Sequence, residues 1–174
     1  MFYNTSTPKS VPTEHEALLK LAALCSKAEH SSGEMQEKMR RWQLPAEAQA
    51  RIMARLINEK YIDDARYARL FVRDKLRFDH WGPRKIEQAL YRKGVAPDTI
   101  AEALADIDDA DFFDILQQLL KQKRRTTKAA DSYQLRSKLL RFAASRGFAI
   151  DMIYKALGSD GSDHDEWAGI IKKH

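Results

Sequence analysis

An apolar pattern that recurs along the chain restricts the possible folds more than any other feature of the sequence. Six positions in the middle of the chain superpose on six positions near its C-terminal end at one constant offset of 53 residues, and two glycines then coincide. The pairs are Ile86 and Leu139, Leu90 and Ala143, Gly94 and Gly147, Val95 and Phe148, Ile100 and Ile153, and Leu104 and Leu157. Moving the same frame back by 51 residues selects Met35, Met39, Gln43, Leu44, Gln49 and Met53. A repeat of this length predicts three tandem units that bury their apolar faces together.

The spacing inside each unit is that of helices. Apolar residues recur every three to four positions, and only 7 glycines and 5 prolines interrupt the 174 residues. The residues predicted to cap or begin helices are Ser31 or Ser32, Asp63 or Asp64, Gly82-Pro83 and Asp131. The two glycines of the repeat are predicted to follow C-terminal turns, because glycine adopts the left-handed backbone conformation without strain.

The sequence therefore predicts an all-α fold of three tandem three-helix repeats that form an elongated body, either straight or curved. The predicted modules cover residues 14–62, 63–108 and 109–158, and residues 159–174 are predicted to be a polar C-terminal tail. No apolar run approaches the roughly 20 residues of a membrane-spanning helix, and residues 1–16 do not resemble a signal peptide. We therefore expect a cytoplasmic monomer without a membrane partner.

Charge is distributed in blocks that the formal net charge of +5 conceals. Residues 66–93 carry +6, residues 94–120 carry −7 and residues 121–146 carry +8. Two interpretations of these blocks remain open. They are either separate surfaces, of which the basic ones bind an acidic partner, or a solvated surface whose charges cancel in the folded protein.

The residue types needed for catalysis or metal binding do not occur in suitable patterns. Cys25 is the single cysteine, and no histidine pair has metal-ligand spacing. No glycine-rich loop that would bind phosphates is present. The aspartates between Asp106 and Asp114 lack the glycine and the terminal glutamate of a calcium loop, so capping is the favoured interpretation. No catalytic residue, metal or cofactor is predicted.

Two stretches of the sequence resemble the RecX family of bacterial regulatory proteins. The first is Tyr-Ile-Asp-Asp-Ala-Arg-Tyr-Ala at 61–68, followed by Phe71, Gly82-Pro83 and Arg92-Lys93-Gly94. The second, which is similar to the closing motif of the family, is Lys-Leu-Leu-Arg-Phe at 138–142 with Ser-Arg-Gly-Phe at 145–148. The resemblance covers roughly residues 18–157. Gln43 departs from it, since glycine is usual there, and the tail has no clear counterpart.

This resemblance implies a tandem three-helix-repeat fold and a modulator of RecA, the ATP-driven recombinase that forms filaments on single-stranded DNA. Members of the family bind the filament and typically limit its growth and its ATPase, strand-exchange and coprotease activities. The resemblance thus implies a role in regulating DNA repair, homologous recombination and the SOS response.

Basic residues of the two positive blocks are the candidates for contact with RecA or DNA. Four of them are spaced by three, four and four residues, which places them on one side of the fourth helix. The candidates are Arg66, Arg69, Arg73, Arg77, Arg84, Lys85, Arg92, Lys93, Arg136, Lys138, Arg141 and Arg146. A guanidinium group pairs with phosphates and carboxylates alike, so both DNA and acidic protein surfaces remain candidate partners. Helix arginines that only pair with nearby carboxylates would give the same pattern.

These observations predict a non-enzymatic regulator that binds the RecA filament. Single-stranded DNA is expected to be contacted through the filament, with weak direct contact as an addition. The alternative is a helical module that binds nucleic acid without sequence preference and without a recombinase partner. A protein scaffold with no role on DNA is a further alternative.

Overall fold

The computed structural model describes residues 11–158, which contain nine helices and no strand. The predicted tail at 159–174 lies outside the described residues. The helices are α1 (Glu14–Cys25), α2 (Ser32–Arg41), α3 (Ala46–Asn58), α4 (Asp64–Arg77), α5 (Pro83–Arg92), α6 (Pro97–Ala105), α7 (Asp109–Thr126), α8 (Ser132–Ser145) and α9 (Ile150–Leu157).

The helices begin at the residue types that the sequence indicated. The Ser31 hydroxyl accepts the N–H of Glu34 at 3.2 Å, and the Glu34 carboxylate accepts the N–H of Ser31, which completes a capping box. Asp63 accepts the N–H of Arg66 at 2.9 Å at the start of α4, and Asp131 caps α8 in the same way at 2.7 Å. These caps satisfy N–H groups that the first turn of a helix leaves without partners.

The second helix of each repeat unit ends in the same backbone turn. The second residue after the helix is left-handed in all three repeats, with φ values of 58° at Gln43, 76° at Gly94 and 91° at Gly147. The next residue donates its N–H to the carbonyl five residues earlier. These bonds are Leu44 to Met39 at 3.2 Å, Val95 to Leu90 at 3.2 Å and Phe148 to Ala143 at 3.3 Å. The first repeat therefore keeps this turn although it lacks the glycine that normally accommodates a left-handed residue.

By compactness the chain divides into two units. Among the described residues, the first unit contains residues 11–68 and 90–100, and the second contains residues 69–89 and 101–158. In the first unit, α1 and α2 pack on α3 around a core of buried residues. That core includes Leu21, Met35, Met39, Ile52 and Leu56. In the second unit α7, α8 and α9 pack against one another and bury Phe112, Leu116, Leu139, Phe148 and Ile153.

Each unit contains a close backbone contact between a helix start and the turn that ends a later helix. In the first unit the Ser31 hydroxyl donates to the Lys93 carbonyl at 2.6 Å, where Gly33 lies against Gly94. In the second unit the N–H of Gly82 donates to the Arg146 carbonyl at 2.7 Å. A Cβ atom on Gly33 would lie 2.4 Å from the Lys93 oxygen, so this position requires glycine.

Candidate functional site: an exposed helix face and a basic groove

The α4 arginines differ in what their side chains contact. In the first unit Arg66 forms an ion pair with Glu29 at 2.7 Å and donates to the Lys60 carbonyl at 3.2 Å. In the second unit Arg69 forms an ion pair with Asp106 at 2.8 Å. Both guanidinium groups therefore hold parts of their own unit together, in pairs whose partners lie 37 residues away in sequence.

The last two arginines of α4 are exposed and have no such partner. No ion pair joins Arg73 or Arg77 to a carboxylate of the described residues, although Asp74 lies in the same turn. Phe78, the residue after the helix, has 78% of its surface exposed, and Leu70 has 43%. We call Leu70, Arg73, Arg77 and Phe78 the α4 docking face.

Phe78 is a candidate site residue that the sequence patterns did not indicate. The buried stripe of α4 consists of Ala68, Val72 and Leu76, which are at most 5% exposed. Phe78 follows Leu76 by two residues, which on a helix is about 200° of rotation, so it falls on the opposite side. The sequence does carry a signal for Phe78, since it is an aromatic residue that lies outside the apolar stripe of α4.

The α5 candidates in the second unit have different environments. The ammonium group of Lys85 lies 4.6 Å from the centroid of Trp81, and Lys75 lies 4.9 Å from the same ring while pairing with Asp79. Lys85 is thus engaged in a cation–π contact. Arg84 is exposed and forms no ion pair within the described part of the chain.

Most candidates of the third module bind backbone oxygens of the protein itself. Arg146 donates to the Asp79 carbonyl at 3.1 Å, Lys138 to the Lys128 carbonyl at 2.7 Å and Arg136 to the Gly158 carbonyl at 3.3 Å. These contacts give the three cations local structural roles. Arg141 is exposed, and no side-chain partner for it occurs among residues 11–158.

The first unit contains a basic groove of about 740 Å³ that the charge blocks of the sequence did not indicate. Its walls are α2 and residues 92–94. The charged and aromatic side chains that line it, which define the basic groove, are His30, Glu34, Glu37, Lys38, Arg40, Arg41, Trp42, Arg92 and Lys93. Arg92 and Lys93 were candidates from the sequence. The α2 cations were missed because residues 1–65 are electrically neutral as a block.

The two carboxylates of the basic groove neutralise only part of its charge. Glu37 is shared by Arg40 at 2.9 Å and Arg41 at 3.1 Å. Glu34 binds Lys93 and contacts His30 at 3.2 Å. Burial acts to raise the pKa of Glu34, but the hydrogen bonds from Lys93 and from the backbone of Ser31 outweigh it and hold that pKa below its ordinary value. The hydrogen bond to Glu34 raises the pKa of Lys93, so the pair is ionised near neutral pH.

The fold and these surfaces define a class of all-α proteins built from tandem three-helix modules with basic helix faces. Residues 63–104 match the model of the second three-helix domain of RecX, and residues 109–157 match that of the third. Together the two matches cover more than half of the chain. The chain belongs to the RecX family, and the resemblance and the all-α tandem repeat inferred from sequence are confirmed.

Individual relatives are similar over different lengths. The chain is 37% identical over 92 residues to a regulatory protein RecX of Clostridium perfringens, which is 52% of this chain and 42% of that protein. It is 27% identical over 159 residues to the one from Oceanobacillus iheyensis, covering 89% of this chain and 58% of the relative. The chain thus spans about half the length of the curated relatives it matches.

A solved structure supports the fold independently of sequence identity. The crystal structure of RecX from Lactobacillus salivarius superposes with a TM-score of 0.74 at 20% identity, covering 83% of this chain and 94% of that one. Within residues 11–158, no helix has the length and apolar character needed to cross a membrane. In the same residues no group of three or more histidine, cysteine, aspartate or glutamate side chains is placed to hold a metal ion.

Proposed function

We propose that this chain is a non-enzymatic regulator that binds filaments of the RecA recombinase on single-stranded DNA and limits their extension. Its effect on the ATPase, recombinase and coprotease activities follows from occupying the filament. The support is membership of the RecX family, whose curated members matched here carry the name regulatory protein. A cytoplasmic location is part of the same proposal.

The observation that carries the proposal is the α4 docking face. Arg73 and Arg77 leave two positive charges without an ion pair inside the described protein, next to an aromatic side chain that is 78% exposed at Phe78. Arginine and aromatic residues are the types that most often dominate the energy of protein interfaces. Exposed large apolar side chains beside such charges suit a protein surface with an apolar pocket and an acidic rim.

Several modest contacts are sufficient for tight binding to a filament. Each RecA subunit presents the same surface again, so tandem modules that engage neighbouring subunits gain from effective concentration. A chain bound in this way obstructs addition of the next subunit and entry of a partner strand. In this arrangement single-stranded DNA is reached chiefly through the filament.

The experiment measures RecA ATPase on single-stranded DNA together with filament length by electron microscopy. Substoichiometric protein is expected to lower the rate and to shorten the filaments. If both are unchanged, the proposed function is wrong.

A matched pair of variants tests the α4 docking face. Arg73→Ala combined with Arg77→Ala, and separately Phe78→Ala, should weaken filament binding by about 5- to 30-fold each, which corresponds to about 1–2 kcal/mol. The control is Arg51→Ala combined with Arg55→Ala, which removes two exposed guanidinium groups from α3. Equal losses in both double variants would remove the α4 docking face from the interaction. Arg66 and Arg69 are left intact because their ion pairs serve the fold.

The alternative function is a nucleic-acid-binding module without a recombinase partner, which the basic groove favours. It predicts tight binding to bare DNA that weakens steeply with salt. Tight filament binding combined with weak binding to bare DNA decides against it.

A further inference from the structure

We propose that the basic groove of the first unit binds single-stranded nucleic acid directly, with phosphates on its arginines and a base on Trp42. This site differs from the α4 docking face and acts without a recombinase. The inference therefore does not depend on the proposed function.

The first argument is the excess of positive charge. Five side-chain cations line the groove, Lys38, Arg40, Arg41, Arg92 and Lys93, and two carboxylates oppose them. Glu37 is divided between two arginines and Glu34 is taken up by Lys93, so about three positive charges remain without a counter-charge. A concave surface with unbalanced charge of one sign concentrates ligands of the opposite sign.

The unbalanced charge sits where a strand can reach it. Arg92 is exposed and no carboxylate of the described residues pairs with it. Lys38, at the opposite wall, is half-buried and also forms no ion pair within residues 11–158. Arg40 and Arg41 are also exposed, with 64% and 76% of their side-chain surfaces accessible. Cations on both walls suit successive phosphates of a backbone that runs between them.

The second argument is the aromatic ring at the end of the groove. Trp42 is half-buried, packs with one part against the core of the first unit and lines the groove with another. Its backbone N–H donates to the Lys38 carbonyl at 3.1 Å, which fixes the residue at the end of α2. Lys20 lies 6.0 Å from the centroid of the ring. A fixed aromatic ring beside cations is the arrangement on which bases stack.

The combination of ring and charge favours nucleic acid over an acidic peptide. Carboxylate side chains would use the arginines but would have no need of an aromatic surface. A base together with its phosphate uses both. The groove volume of about 740 Å³ is enough for a nucleotide, and its open sides let the strand continue.

The test uses the full chain and a fluorescein-labelled oligothymidylate of about 12 nucleotides, with no recombinase present. Fluorescence anisotropy gives the affinity between about 50 mM and about 200 mM salt. The wild type should bind. Arg40→Ala combined with Arg92→Ala should weaken binding at least about 10-fold and reduce the salt slope by about 1.4, since each phosphate contact on a single strand contributes about 0.7.

The matched control again removes two exposed arginines of the same unit, Arg51 and Arg55, which pair with Glu14 and Glu59 outside the groove. This control should change the affinity less than about 2-fold and leave the salt slope unaltered. Unlabelled oligothymidylate should also quench tryptophan fluorescence in the wild type. That quenching should be largely lost in Trp42→Phe, which keeps an aromatic ring and the packing of the site.

Four results would overturn the inference. They are no binding by the wild type at about 50 mM salt, equal losses in the groove and control variants, displacement of the strand by polyglutamate at the same charge concentration, and displacement by thymidine monophosphate at the same nucleotide concentration. The third outcome would assign the groove to an acidic peptide and the fourth to a free nucleotide. Because RecA is absent, each of these results leaves the proposed filament regulation to be judged by its own experiment.

Discussion

The sharpest test of the fold is Gly33→Ala in the first turn of α2, because two physical effects predict opposite changes in the free energy of unfolding. Alanine is a better helix former than glycine by about 1 kcal/mol, so helix propensity alone predicts a more stable protein. The close contact predicts the reverse. A Cβ atom at this position would lie 2.4 Å from the Lys93 oxygen and 2.7 Å from the Gly94 Cα, and both are backbone atoms.

The size of the expected loss in stability follows from how far the backbone at Lys93 and Gly94 must move. Ordinary van der Waals contact needs at least 3.4 Å, so the turn at Lys93 and Gly94 has to shift by about 1 Å. Overpacking of a close-packed contact costs about 1–3 kcal/mol, and the shift strains the hydrogen bond from Ser31 to the Lys93 carbonyl, worth about 1 kcal/mol. After the gain in helix propensity is subtracted, the free energy of unfolding should fall by about 1–3 kcal/mol.

Urea denaturation followed by circular dichroism at the helix band measures this change. Gln36→Ala is the matched control, since Gln36 is an exposed residue of the same helix and its replacement should alter stability by less than about 0.5 kcal/mol. A Gly33→Ala protein as stable as the wild type, or more stable, would refute the reasoning. It would show that the turn at Lys93 and Gly94 moves away from the added methyl group without loss of stability.

Three further changes have defined outcomes. Gln43→Gly should raise the free energy of unfolding by about 0.5–1 kcal/mol in denaturant titration, because glycine removes about 1–2 kcal/mol of left-handed strain but also gains freedom in the unfolded chain; a loss of stability would contradict this. Leu90→Ala should cost about 2–5 kcal/mol in the same assay, since Leu90 is fully buried, and a cost below about 1 kcal/mol would mean that the site collapses around the smaller side chain. Because hydrogen bonds hold the folded pKa of Glu34 below its ordinary value of 4.5, its contribution to stability is complete above that value and is lost as the pH falls through the lowered pKa. Glu34→Gln should therefore flatten the dependence of stability on pH in that acidic range, and an unchanged pH profile would exclude the ion pair with Lys93 as a source of acid sensitivity.

The secondary structure was largely predictable because its signals are local. Capping residues act within one turn, and the apolar period is set by helix geometry. The predicted start at Pro83 and the left-handed turns at Gly94 and Gly147 are confirmed. The α4 helix ends at Arg77, and the positive φ of 52° at His80, which is not a glycine, is a turn that the sequence analysis did not indicate.

The candidate surfaces were predictable only in part. Counting charges in blocks located Arg73 and Arg77 but assigned the same weight to Arg66 and Arg69, whose carboxylate partners lie 37 residues away. The basic groove was missed because α2 supplies its cations from a block in which basic and acidic residues are equal in number. A count along the chain averages over charges that the fold separates.

The sequence by itself determined the helices, their caps and the turns that the repeat units share, since these depend on interactions within a few residues. The tertiary structure alone decided which cations are neutralised and which remain available. Lys93, next in sequence to the exposed Arg92, is bound to Glu34, which is 59 residues away. Ion pairs at such separations depend on how helices pack, and local patterns carry no information about that packing.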